Sequence, residues 1–185
     1  MSFFQSNQLD RIVPPGERRF LLWAIFIALL LLTLDQYSKY WIVKNIPFGS
    51  KAVVIPDFFN ITHITNTGAA WGILSGRGGF LLLIAILVML SVIWFLRSLT
   101  DGWKERYFAI FLVVSGIIGN SIDRVFRGAV VDFLQFYIGK YVWPSFNVAD
   151  SCICVGVFIF ILSTLFRPER RKSNPDSPAY VQYKK

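Results

Sequence analysis

Four uncharged apolar runs, residues 20–34, 78–96, 107–122 and 151–166, decide most of what this chain can become. A helix needs about 20 apolar residues to cross a 30 Å hydrocarbon core. The second run meets this alone, and the others do so once flanking residues such as Tyr37, Tyr40 and Trp41 are counted. Four transmembrane helices are expected. The first is expected to be a retained helix, not a cleaved leader: it has a basic start at Arg18 and Arg19, but Leu34-Asp35-Gln36-Tyr37 follows where small residues would be needed. At 185 residues the chain has room for one domain. It is 55% hydrophobic and only 16% charged, far from a soluble globule, whose charged fraction is nearer a quarter. A pI of 9.7 could suggest nucleic acid, but so apolar a chain uses basic charge differently, and no nucleic-acid partner is expected.

That use is orientation. Of the nineteen Lys and Arg, twelve precede the first run, fill the short link between the second and third, or follow the fourth. The remaining seven are spread over two longer connections. Basic residues stay in the cytoplasm, so both termini are expected inside and the long connections outside. The expected organisation is a cytoplasmic segment over 1–19, a membrane domain over 20–166 and a cytoplasmic tail over 167–185, disordered from Pro168. Residues 51–55 and 58–65, separated by Pro56-Asp57, are β-branched and partly alternating. They predict strands of a small outward sheet, to which 130–136 adds an extended piece. Gly139, Pro144 and nearby aromatics then form a peripheral connection into the fourth helix. The fold class is thus a mainly α membrane protein, four transmembrane helices with an outward β-cradle and a peripheral loop.

The acids are unevenly placed. Arg19 to Asp35 is 16 steps, Arg106 to Asp123 is 17, and Asp150 to Arg167 is 17. At 1.5 Å per step each rise is about 24–26 Å, so three helices carry a carboxylate at one depth below the outer surface. Asp132, nine residues after Asp123, can return to that level. Ionised groups there are costly and usually functional. Some have ordinary explanations: Asp35 and Lys39 are an i,i+4 pair, Asp123 adjoins Arg124, and Asn147-x-x-Asp150 resembles a helix cap. Asp132 is the least explained, its nearest local cation being Arg127. Two carboxylates left over at one level suggest an acid–base dyad, although spacing alone does not establish one.

Other chemistries lack parts. There is one histidine, His63, in a strand-like alternation where a structural role is expected. No metal-ligand set is present. Ser38 and Lys39 are adjacent and share no helix face. Cys152 and Cys154, two apart on a helix, point to different faces and are expected as small buried residues, not a disulfide. Residues 66–72 lack the ending of a phosphate loop. Their small side chains allow close backbone approach, with Asn66 as a polar hand. An ion- or proton-conducting transporter subunit is the alternative, but such a pathway distributes polar groups across the bilayer. Here the inner halves of the runs are uncharged.

Together these residues resemble lipoprotein signal peptidase, the bacterial signal peptidase II family of membrane aspartyl proteases. The matching blocks are Asp35-Gln36-Tyr37-Ser38-Lys39, Asn66-Thr67-Gly68-Ala69-Ala70-Trp71-Gly72 and Gly119-Asn120-Ser121-Ile122-Asp123-Arg124. Val130-Val131-Asp132-Phe133 and Phe146-Asn147-Val148-Ala149-Asp150-Ser151 follow in the family's order. Trp71 stands where the family commonly has Phe. The resemblance implies that Asp132 and Asp150 are the catalytic pair. Asp35, Lys39, Asn66, Gly68, Asn120, Asp123, Arg124 and Asn147 are its supporting or substrate-binding residues. A monomer in the bacterial inner membrane, using no cofactor and no metal, is expected. The implied substrates are prolipoproteins, cleaved on the amino side of a cysteine carrying diacylglyceryl, with membrane lipids as the other partner.

Overall fold

The computed structural model describes Val13 and residues 15–167. The tail expected from Pro168, and Arg11 with the basic residues from Arg170 onward, lie outside the described residues. A short 3-10 turn, Pro15–Glu17, leads into α1 (Arg18–Asn45). Next come β1 (Lys51–Ile55), β2 (Phe59–Asn66), α2 (Gly78–Thr100) and α3 (Lys104–Arg127). β3 (Val130–Ile138), β4 (Tyr141–Val142) and α4 (Val148–Phe166) complete the chain. All four helices are long and apolar enough to cross a membrane.

The apolar run 20–34 is only the first half of α1. The helix has 28 residues, about 42 Å, and continues through the polar block at Asp35 and Lys39. It can do so because both side chains are buried and partnered, Lys39 with Asp123 of α3 and Asp35 with Lys39 and the Ala149 N–H of α4. α3 is the hub, with α1, α2 and α4 each packed on it. Glycines set its distance from α4. A Cβ added at Gly116 would collide with the Ala149 carbonyl and lie 2.6 Å from Ile153 Cγ1. One added at Gly156 would lie 2.6 Å from the Ala109 carbonyl. Small residues on both faces let the backbones approach, as in membrane helix pairs generally. Cys152 is buried in this interface, but Cys154 is exposed, correcting the expectation that both are buried. A two-residue step turns about 200° around a helix, so only one can face α3. The two cysteines are free.

The strands form one antiparallel order, β1-β2-β3-β4. β1 coincides with the strand expected over 51–55, β2 lies one residue along from 58–65, and β3 runs two residues beyond the extended piece expected over 130–136. A bulge interrupts their register: Ile61 faces Leu134 and Ile64 faces Asp132, leaving two residues opposite Phe133. His63, within the bulge, is buried with its Nδ1 2.7 Å from the Ile46 carbonyl, consistent with a structural role. α3 ends on Gly128, whose φ of +77° suits a left-handed cap and turns the chain into β3.

At the other end of the helices, Val13 is buried with Ala24, Leu96, Tyr107 and Ile110. Tyr107 donates to Glu17 Oε2 at 2.7 Å, and Arg106 donates to Ser163 Oγ at 3.1 Å and the Arg167 carbonyl at 3.3 Å. The starts of α1 and α3 therefore meet the ends of α2 and α4.

Candidate active site

The site is a buried polar cluster where α1, α3, β3 and the start of α4 converge. Its centre is Lys39, which is fully buried. Its ammonium lies 2.9 Å from Asp35 Oδ2 and 2.8 Å from Asp123 Oδ2, and it donates to Asn120 Oδ1 at 3.0 Å. Three acceptors use all three donors of the group, so Lys39 has none to spare for activating a nucleophile. Ser38 turns away and donates to the Asp35 carbonyl. The expected Asp35–Lys39 pair is present. Asp35 also accepts the Ala149 N–H at 2.8 Å, tying α1 to the first turn of α4.

Asp123 corrects the sequence reading. Its partners are Lys39 and Arg127, not the adjacent Arg124. Neighbours on a helix diverge by about 100°, whereas Asp123 and Arg127 are i,i+4. The spacing that identified Asp35 with Lys39 would also have found this pair. Asp123 Oδ2 further accepts the Val131 N–H at 3.2 Å, fixing the start of β3. Arg124 instead donates to the Gly68 carbonyl at 2.8 Å and the Asn120 carbonyl at 3.3 Å. Gly68 fits because a side chain there would meet the Ile73 carbonyl at 2.5 Å. Asn66 accepts the Gly68 N–H and donates to the Ala69 carbonyl, shaping the loop as well as facing the cluster. Sequence reasoning also missed Gly119, where a Cβ would lie 2.7 Å from Asp35 Oδ2, and Gln36, which donates to Asp35 and to the Gly119 carbonyl.

Asn147 joins Asp132 and Asp150. Its Nδ2 donates to Asp132 Oδ1 at 2.7 Å, and its backbone N–H to Asp150 Oδ2 at 3.2 Å. Its Oδ1 accepts the Asp150 N–H at 2.9 Å, completing the capping box expected from the spacing. Capping and membership of the cluster are not alternatives for Asp150, because its Oδ1 also accepts from Asn120 Nδ2 at 2.7 Å. The structure thus brings together every residue the sequence nominated: Asp35, Lys39, Asn66, Gly68, Asn120, Asp123, Arg124, Asp132, Asn147 and Asp150.

Four carboxylates here face three cations, Lys39, Arg124 and Arg127. An uncompensated buried charge is expensive, so the balance favours one retained proton. Asp132 is where burial bears hardest outside the helices. Loss of solvent, then the Asp150 charge, push its carboxyl up to about 7, against the Asn147 and Asn66 hydrogen bonds and Lys39. Two linked carboxyl groups sharing a proton are the equipment of aspartyl proteolysis.

Comparison with known proteins agrees. Residues 27–166 match the signal peptidase (SPase) II family. The chain belongs to the signal peptidase II family. Its relatives include the lipoprotein signal peptidases of Bacillus pumilus and Bacillus subtilis. The first is 42% identical over 150 residues, covering 80% of this chain and 96% of the relative. The second is 40% identical over 146 residues, covering 79% and 95%. Among solved structures, a bacterial membrane enzyme superposes with a TM-score of 0.73 at 40% identity, covering 77% of this chain and 87% of its own. Another gives 0.71 at 39%. As a signal peptidase II, the chain is an aspartyl protease of a bacterial membrane, and the transporter alternative falls away.

Proposed function

We propose that this signal peptidase II removes signal peptides from prolipoproteins with Asp132 and Asp150 as its catalytic pair, cleaving on the amino side of a diacylglyceryl-modified cysteine. The observation that carries the pair is Asn147, which holds both carboxylates while every other acid of the cluster is engaged by Lys39, Arg127 or a backbone N–H. The ionised member takes a proton from water, and the hydroxide attacks the scissile carbonyl. The protonated member donates to the carbonyl oxygen, and the amine leaves with a proton. Asp35, Lys39, Asn120, Asp123 and Asn147 hold the pair. Asn66, Gly68 and Arg124 form its loop side, where Arg124 Nε–H has no hydrogen-bond partner among the described residues and can meet a substrate carbonyl.

In this reading both termini are cytoplasmic and the site lies near the outer leaflet of the inner membrane. The meeting of the Arg106 and Arg167 ends, opposite the aspartates, supports one shared depth. The working unit is a monomer of three parts, 1–19, 20–166 and 167–185. The proposed mechanism uses no metal. EDTA should leave cleavage unchanged, and a loss restored by zinc would overturn the mechanism.

The test is cleavage by purified protein in detergent of matched peptides with and without the diacylglyceryl group. Each buried methylene contributes about 0.8 kcal/mol to partitioning, so two acyl chains hold the scissile bond at the depth of the site. The lipidated peptide should have a specificity constant at least about 100-fold higher, roughly 2.7 kcal/mol at the transition state. Equal constants would mean that the pair is reached from water and that lipid recognition is not part of the function.

A further inference from the structure

The catalytic reading above leaves open how two carboxyl groups of one type take different roles, and the cluster offers an answer. Asn120 has two ends with opposite chemistry. Lys39 can only donate, so the atom it meets at 3.0 Å must be the carbonyl oxygen of Asn120. That settles the amide's direction, and its N–H is left facing Asp150 at 2.7 Å. If the amide turned over, two donors would meet at Lys39 and two acceptors at Asp150. We propose that Lys39 is a positioning residue that acts through Asn120, making Asp150 the carboxylate and Asp132 the proton-bearing member of the pair.

The surroundings of the two aspartates differ in the same sense. Asp150 lies in the first turn of α4, where the helix dipole favours negative charge, and both its oxygens accept N–H groups. Asp132 lies on β3, at no helix start; it accepts from the Asn147 and Asn66 side chains but makes no salt bridge with Arg124 or Arg127. The charged groups facing the pair are Asp35 and Lys39 on α1 and Asp123, Arg124 and Arg127 on α3. Asp35 and Asp123 are already bound to Lys39, and Arg127 is bound to Asp123. Arg124 makes no salt bridge with either aspartate of the pair: its two terminal nitrogens donate to carbonyls, and its charge acts on Asp150 and Asp132 alike. The chain from Lys39 through the Asn120 amide to Asp150 is the directed connection among them. A protonated Asp132 can then donate to the scissile carbonyl while Asp150 draws the proton from water.

The inference rests on the catalytic reading and can fail without it. Loss of cleavage in Asp132→Asn and Asp150→Asn tests the pair, whereas the pH profile tests Lys39. Removing the connection makes Asp150 harder to ionise, so the acidic limb of kcat must move to higher pH. In Lys39→Gln the limb should rise by about one pH unit or more with KM unchanged. In an Asn120→Ala background the same substitution should add no further shift, because the amide it acts through is gone. An unmoved limb in folded Lys39→Gln, or an equal shift in both backgrounds, would overturn the proposal. If thermal unfolding shows that Lys39→Gln does not fold, Asn120→Asp decides. It keeps an acceptor for Lys39 but turns an acceptor toward Asp150, and should raise the acidic limb and lower kcat at least about tenfold. A folded Asn120→Asp with the wild-type limb would overturn the proposal equally.

Discussion

Asp132→Asn and Asp150→Asn should each lower kcat by about 10⁴-fold or more while leaving a protein that folds and inserts as before. General acid and general base each contribute about 10²–10⁴-fold, and the members of such a unit are not additive. Asparagine preserves shape at both positions. At Asp132 it still offers an oxygen to Asn147 Nδ2, and at Asp150 it still offers one to Asn120 Nδ2. Thermal unfolding in detergent should therefore stay close to wild type. Cleavage of a lipidated peptide by either folded variant at a rate near wild type would remove that residue from the catalytic pair.

Gly116→Ala should damage stability and activity together. The added methyl would meet the Ala149 carbonyl and Ile153 Cγ1 on α4, backbone and branched side chain that cannot swing aside. Overpacking of this kind costs about 1–3 kcal/mol. Relief by pushing α4 outward would lengthen the Asn120–Asp150 hydrogen bond and the Ala149–Asp35 tie, one turn along the same interface. A lowered unfolding temperature with a fall in kcat is expected. Gly79→Ala is the control: a Cβ there meets nothing within 4 Å, so both quantities should hold. If Gly116→Ala matched that control, close approach of α3 and α4 would not be what positions Asp150.

Much of this was legible from the chain because membranes impose simple arithmetic. Run length gave the four helices, and counting from basic residues placed Asp35, Asp123 and Asp150 together. Local spacing found the Asp35–Lys39 pair and the Asn147–Asp150 cap for the same reason, that helix geometry relates i to i+3 and i+4. What escaped lies between elements. No periodicity states that Lys39 spans from Asp35 to Asp123 and Asn120, since that depends on how α1 packs on α3. The bulge opposite Phe133, beside Asp132, has no glycine or turn signal in β2 to announce it. Adjacency was over-read at Asp123 and Arg124, where the helical turn separates the two side chains. The proposed function of the pair rests on family resemblance, because carboxylates at one depth are equally the mark of a structural ion cluster.

The one-sided attachment of α2 bears on how freely this sequence can change. Only Leu96 and Thr100 of that helix are buried, and of the other helices it rests chiefly on α3. Most of its side chains answer to acyl chains, which distinguish apolar from polar but hardly leucine from isoleucine. Along α2, then, the constraint is on composition, and many different sequences would serve. Around Lys39 each donor has one acceptor, and a single letter is fixed by its neighbours' chemistry. Random mutagenesis scored for cleavage should accordingly find dense tolerance on one transmembrane helix and near silence a few ångströms around another.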